Sequence, residues 1–110
     1  MALVAAKEAI ATGLDLRLPF DHRAFLYMPF EHSEDMHDQE QCLALFQGLL
    51  EDARGEKAQM LAQSYLQFAQ SHYDIIRTFG RYPHRNAALG RPSRQAEIRY
   101  LAQDAARFGQ

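Results

Sequence analysis

A chain of 110 residues, 47% hydrophobic and 24% charged, has the mix of a globular protein. That excludes disorder and fibrous repeats, and the length allows one domain or part of one. A formal charge of −2 argues against a general polyanion binder, and a single cysteine excludes a disulfide framework or a multi-cysteine zinc site.

Residues 2–12 (ALVAAKEAIAT) are rich in helix formers and are followed by Gly13, so they read as a helix closed by a C′ glycine. The apolar start is too short for a secretory leader and has no basic segment before it. No stretch nears the roughly 18–20 apolar residues of a bilayer span. The expectation is a cytoplasmic protein with no membrane partner. Residues 14–19 (LDLRLP) read as a connector. Residues 21–31 (DHRAFLYMPFE) read as a short helix with Asp21 as N-cap, ended or kinked near Pro29. Ser33, followed by two acids, reads as the cap of a third helix that runs to Arg54-Gly55. Its expected apolar stripe is Met36, Leu43, Phe46 and Leu50, with Gln39 as a polar gap, and Gly48 marks a possible close helix contact. Cys42 falls in an apolar run and reads as a buried, inert thiol.

Residues 56–79 form the longest periodic segment, with Leu61, Tyr65, Phe68, Ile76 and Phe79 on one stripe and His72 at the same register. Gly80 ends it. Residues 81–92 (RYPHRNAALGRP) read as a loop, and Ser93 as the cap of a last helix with Ile98, Leu101, Ala105 and Phe108 on its stripe. About five helices, no strand pairs and short turns give an all-α fold of antiparallel helical hairpins.

Charge is segregated along the chain. Residues 31–40 carry five acids and no Lys or Arg, while residues 77–99 carry six Arg and one acid, Glu97. Two readings stay open. The arginines clamp the acidic helix start as carboxylate pairs, or part of the cluster Arg81, His84, Arg85 and Asn86 stays unpaired and binds a small anion or phosphate. Nucleic acid is disfavoured by the nearby acids and the net charge. Glu34 and His37 form a Glu-x-x-His pair, but dimetal bundles need a second such motif and two further Glu, so no metal and no cofactor is expected. His32, just outside the helix start, is a hydrogen-bonding candidate beside Glu34 and Asp35. His72 and Ser33 are expected in a structural polar core, His72 on a carbonyl of the irregular loop. His84 has the chemistry of an acid or base, yet no nucleophile is placed beside it, so an enzyme is not the leading expectation.

Residues 27–40 (YMPFEHSEDMHDQE) with 42–46 (CLALF), and residues 72–91 (HYDIIRTFGRYPHRNAALGR), resemble the bacterial family known as domain of unknown function 924. The resemblance covers nearly the whole chain. It implies a tetratricopeptide-like helical fold and supplies no function. It also implies that the family's domain extends further on the N-terminal side, so the chain is expected to be the C-terminal part of an incomplete domain. The leading functional expectation is a helical-repeat interaction module, with a protein partner or self-association through an exposed apolar face. The alternative is a small-anion site, with or without catalysis, between the HSED helix start and the RYPHRN loop.

Overall fold

A computed structural model of the chain describes residues 2–107, with side chains described as far as residue 104. The described residues form five α-helices and no strand: α1 (Ala2–Ala11), α2 (Phe20–Glu31), α3 (Met36–Asp52), α4 (Glu56–Phe79) and α5 (Gln95–Arg107). Short 3-10 turns occupy Leu14–Arg17 and Pro83–Arg85. Among the described residues no helix is long and apolar enough to cross a membrane.

The first four helices build the core. Ala6, Ala24, Tyr27, Phe30, Cys42, Phe46, Leu49 and Ala69 are buried together. Tyr27 meets Phe46 edge-on at 5.7 Å, and Phe46 in turn lies 5.9 Å from Tyr65. Such ring pairs add about 0.5–1.5 kcal/mol beyond the area they bury. α3 packs most extensively on α4, and α2 on α3. Burial pushes the Cys42 thiol up to about 12, so it stays protonated, as its apolar neighbours implied.

The radius of gyration, 15.6 Å, exceeds the roughly 13 Å expected of a compact domain this size. The cause is α4, whose 24 residues run past the core, and α5, which leans on the 80–92 loop and whose described side chains add nothing to the core cluster.

Several expected boundaries move. Helix α2 starts after Pro19, and Asp21 lies inside its first turn rather than capping it. Pro29 neither ends nor interrupts the assignment, which continues to Glu31. The carbonyl that Pro29 leaves without a donor belongs to Phe25, whose side chain is 76% exposed, so that edge of the helix faces water. The cap of α3 is Asp35, not Ser33: its extended backbone and carboxylate receive the amides of His37 and Asp38 at 2.8 and 3.2 Å. Ser33 Oγ instead accepts from the Asp35 amide and donates to Asp38 at 2.7 Å. Lys7 meets the same Asp38 carboxylate at 2.9 Å, which ties α1 to the start of α3.

The buried faces also differ from the expected stripes. On α3 the buried positions are Asp38, Gln39, Cys42, Phe46 and Leu49. Gln39 is therefore part of the buried face, not a gap in it. A Cβ added at Gly48 would meet nothing within 4 Å, so no helix approaches closely there. On α4, Ala62, Ala69 and Ile76 are buried, whereas Leu61 and Phe68 are exposed. Small alanines let α3 come close, while Leu61 and Phe68 face outward and Tyr65 and Leu66 still pack on the core. On α5 Ile98 is exposed and Glu97 is buried. Phe108 lies outside the described residues, as does the side chain of Ala105.

Gln39 explains why an amide sits in the core. The last carbonyls of a helix have no partner within it. Gln39 Nε2 lies 2.8 Å from the Glu31 carbonyl, 2.6 Å from that of Ser33 and 3.5 Å from that of Phe30. It also donates to Tyr82 Oη at 2.7 Å. One side chain of α3 thus closes the end of α2. Replacing it by leucine (Gln39→Leu) keeps the volume and removes the donors. The expected cost is about 2 kcal/mol of unfolding free energy, the loss of buried donors outweighing relief of the partnerless Gln39 Oε1. Urea unfolding of the two proteins measures it.

A second buried chain of polar groups runs through α2. Arg23 Nη1 donates to Asp52 at 3.0 Å, Arg23 Nε to Tyr27 Oη at 3.1 Å, and Tyr27 Oη to Asp15. It fixes the first 3-10 turn and the end of α3 to the same face of α2.

Candidate functional site: a groove of histidines and arginine

Loop 80–92 docks on the turn between α2 and α3. Gly80 permits the entry: its φ of 76° is left-handed, and its amide closes α4 on the Ile76 carbonyl at 2.7 Å. Tyr82 then anchors the loop. Its hydroxyl donates to the Glu31 carbonyl, its amide donates to Glu34 Oε2 at 2.6 Å, and its carbonyl accepts from Arg91. Burial pushes the Tyr82 phenol up to about 12.

The oppositely charged segments do meet, through a pair that spacing alone did not single out. Arg91 grips Glu34 with two parallel bonds of 2.9 and 3.2 Å. That guanidinium and, after it, the Tyr82 amide hold the Glu34 carboxyl below the usual range. Asp35 takes no part, because capping α3 uses its carboxylate. The Glu-x-x-His pair fails for a related reason: Glu34 precedes the helix and is held by Arg91, while His37 is exposed on α3.

Arg81 is likewise committed within the basic segment. Its Nε and Nη2 each lie 2.8 Å from Glu97, which also accepts from the Arg94 amide at 2.8 Å. Glu97 occupies the third position of α5 and reaches back to the residue before it, half of a capping box. That contact, rather than Ser93, starts the helix; Ser93 Oγ accepts from the buried Asn86. Asn86 therefore acts as a brace, receiving Arg91 Nε on its Oδ1 at 3.1 Å. Arg81 first, then Arg94, holds the Glu97 carboxyl far below the ordinary range.

Among the arginines of loop 80–92, Arg85 remains. Its Nη2 donates to the His32 carbonyl at 2.9 Å, and its guanidinium lies 4.6 Å from the Tyr82 ring centroid. Among the described residues no carboxylate pairs with it. It opens on a groove of about 460 Å³ that His32, His72, His84, Tyr82 and Tyr100 also line. Four of the candidate residues thus converge on one groove, and Arg81, Asn86, Glu34, Asp35 and Ser33 form the frame behind it.

His72 is not bonded to the loop, as expected, but to its own helix and to α2. Its Nδ1 lies 2.7 Å from the Phe68 carbonyl and 3.2 Å from Glu31 Oε1. The Phe68 carbonyl can only accept, so it places the proton on Nδ1 with the Glu31 carboxylate alongside, and Nε2 has no protein partner among the described residues. The Glu31 carboxylate, with help from the Phe68 carbonyl, raises the His72 pKa. His84 Nε2 lies 2.9 Å from Asp104 of α5, and its ring meets Tyr100 edge-on at 5.6 Å. Among the described residues no group of three or more His, Cys, Asp or Glu side chains is placed to hold a metal ion.

The molecule is thus an all-helical protein with an arginine and three histidines on one groove. Residues 1–105 match the family described as "Bacterial protein of unknown function (DUF924)", and the chain belongs to that family. A solved structure of a protein of unknown function from Agrobacterium tumefaciens is similar, with a TM-score of 0.77 and 38% identity. The match covers 93% of this chain and 51% of that one, so this chain spans about half the length of that protein. No curated protein matches.

These shifts have opposite signs of pH dependence. Glu34 and Glu97 titrate lower in the folded chain than in the unfolded one. So does Asp38, where Lys7 and Ser33 overcome the desolvation that burial imposes. Their stabilisation is present above an ordinary carboxyl pKa of about 4.3 and is lost as pH falls through the folded values. His72 titrates higher when folded, so its contribution is complete below about 6.5 and is lost as pH rises through its folded value. Melting temperature is therefore expected to peak between about pH 5 and 6.5. Glu97→Gln should flatten the acid limb and His72→Gln the alkaline limb, as read by thermal denaturation across pH.

Proposed function

We propose that the chain binds a small anion, a carboxylate or phosphate, in the groove beside Arg85. The observation that carries this reading is the division among the loop arginines. Arg81, Arg91 and Arg94 are paired with Glu97 or Glu34, whereas Arg85 is held by a carbonyl and a ring and keeps donors to spare. A planar guanidinium with free N–H groups grips carboxylate and phosphate oxygens in pairs. His72 adds an unpartnered Nε2, which becomes a second donor when the ring is protonated. The volume, about 460 Å³, falls in the usual range for small-molecule sites. Asp104 also lines the groove, where its carboxylate faces His84 Nε2 at 2.9 Å rather than Arg85.

The test is a titration with inorganic phosphate followed by amide NMR. Shifts are expected at residues 32, 72, 84 and 85, with affinity rising as pH falls from 8 to 6. Arg85→Ala should keep the helical circular dichroism and weaken binding about tenfold, the effect of losing one charge-assisted contact. No shift at tens of millimolar phosphate would contradict the reading.

A second reading rests on a different face. Met60 and Leu61, side by side on α4, are 66% and 39% exposed. Clustered apolar side chains of this kind mark interaction surfaces. They support the view of a tetratricopeptide-like module that docks a protein partner or a second copy. Sedimentation over a hundredfold concentration range is expected to show association, and the pair Met60→Asp with Leu61→Asp to abolish it. A monomer throughout would remove self-association.

A further inference from the structure

We infer that the anion the groove takes carries a planar aromatic body, an aryl or heteroaryl phosphate or carboxylate rather than a bare oxyanion. The inference rests on the anion-site reading and deepens it. An inorganic ion needs a few donors and little space. This groove offers about 460 Å³, and much of its wall is apolar: Phe68, Ile75, Tyr82 and Tyr100 line it beside the cationic end. Pockets of this build orient a ligand by a few polar groups and hold it by apolar contact.

Phe68 is the sharpest sign. Its register on α4 was expected to bury it, yet it is 63% exposed and has no ring partner among the described residues. Its carbonyl fixes His72 Nδ1, so the ring stands on the same turn that carries one of the anion's donors. The other rings are already engaged. Tyr82 meets His72 edge-on at 5.7 Å and carries Arg85 over its ring, and Tyr100 meets Phe79 and His84. They form a rigid floor, while Phe68 offers an uncovered face to an incoming ring. Arg85 sits over the Tyr82 ring, 4.6 Å from its centroid, and a guanidinium can grip an anion and stack on a planar group at once. The ligand's ring would lie against Phe68 and Ile75, with its anionic group on Arg85 and His72.

The test compares inorganic phosphate with phenyl phosphate by calorimetry or amide NMR, on the native chain and on Phe68→Ala, Phe68→Leu and Arg85→Ala. Phenyl phosphate is expected to bind at least tenfold tighter than inorganic phosphate. Phe68→Ala should remove most of that advantage and leave inorganic phosphate unchanged, and Phe68→Leu should keep part of it. Arg85→Ala should weaken both ligands. Equal affinities for the two ligands, or a Phe68→Ala loss that is the same for both, would overturn the inference and leave a bare anion site standing. Binding of neither would overturn the anion site and this inference together.

Discussion

The end of α2 cannot satisfy its own carbonyls, and most of the arrangement around the groove follows from how that need is met. Gln39 reaches across from α3 to the carbonyls of Glu31 and Ser33, Tyr82 brings a hydroxyl to Glu31, and Arg85 brings a guanidinium to His32. Three donors from two distant parts of the chain converge on one turn. An unpaired buried carbonyl would cost roughly 1–3 kcal/mol, so the pressure to complete the set is large. The irregular 80–92 loop gains its shape from that turn. Once Tyr82 is seated, the Arg91–Glu34 pair closes over it, and the second cluster around Glu97 fixes α5 to the loop. Paired charges of this kind add modest stability when exposed. Here they chiefly select one loop conformation, and that conformation aims Arg85 and His84 at the groove.

The fold class was legible because helix signals are local. Gly13 and Gly80 ended helices where expected, and the long periodic segment 56–79 became α4 with the predicted bounds. The buried faces were less legible. Periodicity locates an apolar stripe but does not say which of two adjacent stripes meets a neighbour. On α4 the choice fell on Ala62 and Ala69, because small side chains allow close approach of α3, and this turned Phe68 outward. On α3 the polar Gln39 took a place on the buried face, since the acceptors it serves lie at the end of α2 and on Tyr82. Capping was misread for a similar reason. Ser33 and Asp35, like Ser93 and Arg94, stand within three residues of a helix start, and only backbone geometry decides which one caps.

For the candidate site, charge segregation revealed that residues 31–40 and 77–99 belong together but not which charges pair. Arg91 was one of six similar arginines, and its selection depends on where the loop returns after Gly90. Arg81 was expected at a ligand and instead holds Glu97, whose burial no local pattern announced. The convergence of His32, His72 and His84 came from three separate segments, each with an ordinary local explanation. The near-zero net charge takes on a definite meaning. The chain contains an acid-rich turn and an arginine-rich segment that meet at Glu34 and Arg91, while Arg81 and Arg94 share Glu97. The family match, over residues 1–105, includes both segments.

The central claim is that loop 80–92 is fixed by docking on the turn after α2, with the Glu34–Arg91 pair as its closure. A double-mutant cycle tests it most directly: unfolding free energies for the native chain, Glu34→Ala, Arg91→Ala and the double variant. The two side chains share bonds of 2.9 and 3.2 Å and both contact Tyr82, so the single losses should overlap. The account predicts a coupling energy of about 1 kcal/mol or more. Losses that simply add, within about 0.3–0.5 kcal/mol, would contradict it.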